Sequence, residues 1–436
     1  MTNYQNYFKG KKITVMGLGL LGRGLGDVKF LAECGASLIV TDLKTKKQLA
    51  DSIKKLAKFK NIKFVLGGHR LKDFSNRDLI IKSAGVPLDS PYVAEAERNK
   101  IPVEMSTALF VRLSGIKTIG ITGTRGKSTV TQLIYEILKT SGLKVFLGGN
   151  VRGLSTLALL KKVKSSDWMV LELDSWQLQG FGTAHLSPHI AVFTNLLPDH
   201  LNYYQNNLDR YFADKANIYK YQKTGDYLIT GPNIAPRLGY QPVKPLPKNW
   251  KLKLPGEHNK ENAAFAKKVA EIVGIKPELT KKVITNFGGM AGRLELVRTW
   301  RGIKIYNDTT STTPAALGAA LRALGATRKN IILILGGADK NLNFAEIFPL
   351  IKEFCRQVIL LPGTGTDKFL ASKLLSVKAY EAKTLQEAVT EAKKLVISGD
   401  ILLFSPGFAS FGPPPGGFKN EFDRGDQFNK LIKNLK

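Results

Sequence analysis

Short apolar runs recur along the chain, each ending on glycine or a polar residue and each followed by a longer amphipathic stretch. "ITVM" (Ile13 to Met16), "SLIVTD", "KFVLGG" and "DLIIKSAG" form a first group. "TIGIT" (Thr118 to Thr122), "WMVLELD" and "HIAVFTN" form a second. "IKIYND", "NIILILGG", "QVILLPG" and "DILLFSPG" form a third. Runs of this length alternating with helical periodicity predict parallel sheets covered by helices, an α/β fold built three times over. The stretch from Pro232 to Pro255 holds six prolines and breaks the pattern. It reads as a loop on the second domain, because "GEHNKENAAFAKKVAEIV" after it has the period of another helix.

The ends of these strands carry the chemistry. In the first group Ile13 to Met16 run into Gly17, Gly19 and Gly22, and Asp42 ends the next strand twenty residues beyond Gly22. This is a Rossmann-type arrangement, in which glycines let the backbone approach a pyrophosphate at a helix N-terminus. Alone it is a weak signal, shared by nicotinamide enzymes and by plain tight turns. In the second group "ITGTRGKST" resembles a Walker A loop, but Ile121 stands where the first glycine belongs. Glu172, Asp174, Asn195, Asp199 and His200 fall at or just past the other strand ends. Ligands of open parallel sheets bind at those ends, so these side chains should converge on the "GTRGKS" loop, where acids commonly hold the magnesium of a nucleotide. A loop-capping role is the plain alternative for Asp199.

Composition narrows the classes. The 436 residues are 43% hydrophobic, enough for several cores, and no apolar run approaches the length of a membrane span. The start, "MTNYQNYFKGKK", lacks the apolar region of a signal peptide. Cys34 and Cys355 form no metal or disulfide pattern, and a cytoplasmic location with two buried thiols is expected. The net charge of +30 invites a polyanionic partner, yet the lysines are scattered and no basic-aromatic stretch appears. A solvated lysine-rich surface is expected, with neither nucleic acid nor membrane as partner.

Taken in order, "GLGLLG", "DLIIKSAGVP", "ITGTRGKST", "GGNVRG", "LELDSWQL", "TNLLPDH", "GEHNKENAAFA", "GRLE", "NDTTSTTP", "LGGADK" and "SPGFASF" make the chain resemble the Mur ligases over nearly its whole length. The likeness is strongest to their glutamate-adding branch. It implies a Rossmann-like domain over residues 1–112, a central P-loop-type ATPase domain over 113–291 and a Rossmann-like amino-acid domain over 292–436. It also makes Gly123 to Ser128 a complete phosphate loop of shorter design.

The reaction implied is the ATP-dependent joining of D-glutamate to UDP-N-acetylmuramoyl-L-alanine through an acyl phosphate, by a monomer. By resemblance Gly123, Thr124, Arg125, Gly126, Lys127, Ser128 and Thr129 cradle the triphosphate, and Asn259, Asn262, Arg293 and Asp308 hold the rest of the nucleotide. Ser128 and Glu172 serve one magnesium ion and His200 a second, with Lys215 carbamylated as a further ligand. Lys127, Glu172, His200 and Lys215 are the implied catalytic set. Asp42, with Lys44 beside it, and Ser83 and Gly85 meet the uridine, and Asn150 the muramoyl-alanine part. Lys340, Thr312 and Ser410 take the glutamate carboxylates, although Thr312 and Ser410 would equally serve as helix caps.

The chain also departs from the family pattern. Arg125 replaces a common asparagine, and its charge either adds a phosphate contact or points to solvent. Thr310 stands where a lysine is usual. "SFGPPPGGFKNEF" carries extra proline and glycine, leaving Phe418 and Phe422 as alternatives beside the glutamate.

Three other readings compete. An NAD-dependent oxidoreductase accounts for the first domain but leaves "GTRGKS" unexplained. Another Mur-type or folylpolyglutamate-type ligase shares the central domain but not "SWQL" after Glu172. A basic nucleic-acid-binding protein finds no supporting motif.

Overall fold

The computed structural model describes residues 3–200, 203–325, 329–410 and 418–435. Three α/β domains are each built on one sheet, as the apolar runs predict. In the first, β1 (Lys12–Met16), β2 (Ser37–Asp42), β3 (Ile62–Leu66), β4 (Leu79–Lys82) and β5 (Val103–Glu104) lie in the order β3-β2-β1-β4-β5, all parallel. The order reverses at β1, the point where α/β sheets open a crevice for ligands. In the second, β6 (Lys117–Thr122), β7 (Val145–Gly149), β8 (Trp168–Glu172), β9 (Ile190–Phe193) and β10 (Tyr227–Thr230) lie in the order β10-β9-β6-β8-β7, again parallel.

The third sheet runs β11-β12-β16-β13-β14-β15, from β11 (Glu295–Trp300), β12 (Ile303–Asn307), β13 (Ile331–Gly336), β14 (Cys355–Leu361), β15 (Ala379–Glu381) and β16 (Ile401–Phe404). Here the apolar runs missed both edge strands, β11 and the three-residue β15. β11 pairs antiparallel with β12 and reads "ELVRTW", with charges interleaved. An edge strand half-exposed on both faces lacks the continuous apolar run that marks a buried parallel strand.

The chain divides into two compact units. One is Met1–Leu246 with Asn262–Ile284; the other is Pro247–Glu261 with Thr285–Lys436. The division falls inside the proline-rich stretch, so part of that stretch belongs with the second unit rather than forming one loop of the central domain. Prolines supply neither strand donors nor helix interior, and the stretch holds only the short helix Ala235–Leu238. Cys34 and Cys355 are both buried, each in a different unit, and burial pushes both thiols up. Among the described residues no helix is long and apolar enough to cross a membrane.

Within the first unit the first two sheets share one apolar core. Phe8, Phe30 and Leu31 continue through Leu109 and Phe110 of the helix Ser106–Ser114 into Leu171 and Phe181. A polar contact crosses the same junction: Ser155 Oγ donates to Asp27 Oδ1 at 2.5 Å. Burial raises the Asp27 carboxyl to about 6 from 3.8, against the opposing pull of Ser155, Ser106 and Arg23. The fold thus holds this proton more tightly than the unfolded chain does. Stability is therefore lost as pH rises from about 4 through about 6. A rise of that size is worth at most about 3 kcal/mol. Denaturant unfolding of the first unit should show this decline in wild type relative to Asp27→Asn, which has no such titration. Parallel pH profiles for the two proteins would contradict the assignment.

Candidate functional site

The phosphate loop is the turn between β6 and the helix Lys127–Thr140. Parallel register sets Ile121 beside Glu172 of β8 and Thr122 beside Phe193 of β9, so three strand ends open at one edge. Two glycines shape the turn. Gly123 has φ +140° and Gly126 +85°, which side-chain-bearing residues rarely adopt. A Cβ on Gly123 would overlap the Thr194 hydroxyl, and one on Gly126 would overlap Asn262 Oδ1.

The residues after β9 hold the loop from the far side. Thr124 N donates to Asn195 O at 2.9 Å and Arg125 N to Asn195 Oδ1 at 2.8 Å. Thr194 Oγ1 donates to Arg125 O at 2.6 Å. No early Walker glycine is needed, because neighbouring strands supply the bonds that fix the turn.

Two amines meet under this loop. Lys127 Nζ donates to Gly123 O at 2.9 Å and to Thr124 O at 3.1 Å. Lys215 Nζ, from the helix Leu208–Ala216, donates to the same Gly123 O at 2.9 Å. Lys215 is 1% exposed. Burial, and then the Lys127 charge, drive its pKa well below the ordinary lysine value. Burial also lowers Lys127, while the nearby Glu172 opposes that shift.

Glu172 is buried, and among the described residues its carboxylate accepts a 3.4 Å bond from Asn150 Nδ2. His200 follows Asp199, whose Oδ2 pairs with Arg125 Nη1 at 3.1 Å. The His200 ring lies 4.6 Å from that of Trp176. Asp174, expected near the loop, caps the helix Ser175–Thr183 by accepting from Gln177 N at 2.7 Å. Asp199 takes a partner from the phosphate loop itself, so the capping alternative does not describe it fully.

A buried carboxylate and the Ser128 hydroxyl are hard oxygen donors, which suit magnesium, and His200 adds an imidazole nitrogen. Among the described residues no three His, Cys, Asp or Glu side chains gather around one point. Magnesium tolerates that, since it keeps waters and phosphate oxygens as ligands, whereas an all-protein zinc cage does not.

At the first sheet Asp42 is buried at the end of β2. Its Oδ2 accepts from Gly19 N and its Oδ1 from Lys44 N, both at 2.8 Å. The glycine-rich turn is thus tied to the acid that follows it. Ser83 is exposed, with its hydroxyl donating to Met16 O at 3.0 Å, and Gly85 lies in open space.

The second unit holds the remaining positions. Asn259 Nδ2 donates to Pro255 O at 2.7 Å. Asp308 accepts from Leu294 N at 3.1 Å and from Ser405 Oγ at 2.8 Å, and burial raises it to about 7 against the pull of Arg293. Lys340 Nζ donates to Thr312 Oγ1 at 3.1 Å, so these two are together. The helix Pro314–Leu324 is capped by Thr313, not by Thr312. Ser410 Oγ is buried with no hydrogen-bond partner among the described residues. Thr310 Oγ1 donates to Gly292 O at 2.8 Å. Residues 411–417, with the extra prolines and glycines, lie outside the described residues, and Phe418 packs on the core under the third sheet.

Two cations of the first domain escaped the sequence reading. Lys82 ends β4, is buried, donates to Val86 O at 2.9 Å and is pushed down to about 8 by burial. A lysine closing the apolar run "DLIIK" was its visible signal. Arg23 opens the helix Arg23–Glu33 and donates to Asn150 Oδ1 at 2.6 Å. A cation at a helix N-terminus runs against the dipole, and that mismatch was its signal.

Comparisons with known proteins cover the same ground. The Mur ligase MurD-like N-terminal domain matches residues 11–104, the Mur ligase middle domain 121–234, and the Mur ligase glutamate ligase domain 292–408. The chain is 34% identical to the UDP-N-acetylmuramoylalanine–D-glutamate ligase of Borreliella burgdorferi (strain ZS7), over 98% of each chain. It is 33% identical to that of Roseiflexus sp. (strain RS-1), over 98% of this chain and 99% of the other. The fold is similar to that of the UDP-N-acetylmuramate-alanine ligase MurC of Thermotoga maritima, with a TM-score of 0.65 at 19% identity, covering 98% of this chain and 100% of the other. It is also similar to the MurF ligase of Thermotoga maritima in complex with ADP, with a TM-score of 0.60 at 16% identity, covering 99% and 97%.

The loop geometry makes Gly123 a sensitive position. Gly123→Ala adds both backbone strain and an overlap with Thr194, which together should weaken ATP binding at least roughly tenfold. Calorimetric titration with ATP checks this, and an affinity equal to wild type would contradict the role given to the loop.

Proposed function

The chain belongs to the Mur ligase family, and from that membership we propose that it joins D-glutamate to UDP-N-acetylmuramoyl-L-alanine at the expense of ATP. The observation that carries this reading is the meeting of Lys127, Lys215 and Glu172 at a phosphate loop of the shorter design. The alanyl carboxylate oxygen attacks the γ-phosphorus of ATP and ADP leaves, giving an acyl phosphate. The amino nitrogen of D-glutamate then attacks the acyl carbon, phosphate leaves with the C–O electron pair, and the nitrogen loses its proton. Both steps crowd anions, so fixed positive charge is the main catalytic requirement.

The loop amides at the start of the helix Lys127–Thr140 face the phosphates, and the Lys127 ammonium opposes charge developing on the γ-phosphoryl group. Ser128 and Glu172 would hold one magnesium ion and His200 another, and the ions would neutralise phosphate charge. Asn262, set against Gly126, supports the nucleotide end of the loop. Asn259, Arg293 and Asp308 are assigned to nucleotide on the family resemblance. Asp42, Ser83 and Gly85 are assigned to the uridine, at the crevice beside β1.

Lys215 is assigned as a carbamate. Its neutral amine is the form that adds to carbon dioxide, making a C–N bond and releasing a proton. Burial beside Lys127 favours that form. The product is an anion where two ammonium groups would repel, and its oxygens would serve a metal. Lys215→Ala should lose activity roughly a hundredfold or more, the scale of one lost transition-state charge contact. Short-chain carboxylic acids should restore part of it, because a free carboxylate takes the place of the carbamate. Ordinary turnover by the mutant without added acid would rule the role out.

The amino acid follows from the third sheet, where Lys340 and Thr312 are paired and Ser410 offers a buried, unpartnered hydroxyl among the described residues. One cation and two hydroxyls suit a compact dianion better than an apolar or cationic side chain. Phosphate release from ATP with UDP-N-acetylmuramoyl-L-alanine, testing amino acids one at a time, should show D-glutamate strongly preferred over L-alanine, L-lysine and diaminopimelate. Lys340→Ala should raise the KM for glutamate at least roughly tenfold, as expected for loss of a hydrogen bond to a charged group. Faster consumption of L-alanine or diaminopimelate than of either glutamate enantiomer would refute the assignment while leaving ligase chemistry intact.

A further inference from the structure

We infer that Arg23, on the first domain, is a positioning residue for the reaction, acting through Asn150, whose amide it orients for the nucleotide sugar. The inference rests on the ligase reading above, which places Asn150 at the muramoyl-alanine part of the substrate. Arg23 occupies the first position of its helix, where peptide N–H groups project and a positive charge is disfavoured. No acidic residue stands in that first turn to offset it. Asp27, one turn on, feels the Arg23 charge, but that pull does not by itself account for an arginine at this position.

Its contact does. Arg23 Nη1 donates to Asn150 Oδ1 at 2.6 Å. A guanidinium has only donors, so it must face the oxygen of the amide. The orientation of the Asn150 side chain is thereby set, and Nδ2 is turned toward Glu172 Oε1 at 3.4 Å. The backbone of Asn150 is anchored to the same residue, with N donating to Glu172 O at 2.7 Å. Two further bonds dock the first turn on the same segment: Gly153 N donates to Leu21 O at 2.9 Å, and Ser155 Oγ donates to Asp27. Those two, with the apolar core the two domains share, already join them. What Arg23 adds is a defined direction for one amide, whose two ends meet a first-domain cation and the carboxylate assigned to magnesium.

A double-mutant cycle tests this on the full chain. Wild type, Arg23→Ala, Asn150→Ala and the double variant are titrated with UDP-N-acetylmuramoyl-L-alanine by calorimetry, and the KM values for that substrate and for ATP are measured. Arg23→Ala should weaken binding of the nucleotide sugar roughly tenfold to a hundredfold with the KM for ATP unchanged. The double variant should be no worse than Asn150→Ala alone, because both changes remove one interaction. Arg23→Lys, which keeps a donor, should recover a large part of the loss. Additive losses, or equal effects on both substrates, would overturn the inference with the ligase reading intact. Failure of the wild type to bind or use the nucleotide sugar would instead overturn the ligase reading and this inference with it.

Discussion

Two amines share one carbonyl oxygen at the turn after β6. Lys127 and Lys215 both donate to Gly123 O, in a place where burial penalises every charge. Two ammonium groups so placed would repel strongly in a medium of low effective dielectric. The arrangement becomes stable if one amine is neutral, or if anions arrive. On the proposed reading, a bound triphosphate would supply anions at the loop and a carbamate on Lys215 would supply one from within.

That constraint explains much of the surrounding architecture. Gly123 must bring its carbonyl inward, so its backbone takes a conformation that excludes a side chain and presses on Thr194. Thr194 and Asn195 in turn bind Thr124 and Arg125, so β9 braces the turn that β6 begins. Arg125 is drawn to Asp199, beside His200. The sequence left two fates open for this arginine, and the structure gives it a carboxylate partner at the loop rather than plain solvent.

How much of this was legible beforehand depended on whether a feature is local. The strand into "GTRGKST" and the helix from Lys127 could be read from apolar periodicity and glycine positions, because both are properties of a few consecutive residues. Glu172 and His200 could be placed at or beyond strand ends because parallel strands deliver their C-terminal ends to one edge, a rule that needs only strand positions. The shared carbonyl under Lys215 could not be read, since it joins residues 92 apart in the chain. Taken alone, Lys215 looks like an ordinary helix lysine, and only resemblance singled it out. Arg23 was missed for the same reason, as its partner Asn150 lies 127 residues away in the chain. Edge strand β11 was missed because its side chains are not uniformly apolar.

The central step proposed is attack by the carboxylate of one substrate on the γ-phosphorus of the other at the Gly123 loop. Incubating the enzyme with ATP, D-glutamate and UDP-N-acetylmuramoyl-L-alanine labelled with oxygen-18 in its alanyl carboxylate tests this most directly. Attack through an acyl phosphate transfers one labelled oxygen to each inorganic phosphate released. Unlabelled phosphate, formed alongside amide product, would contradict it.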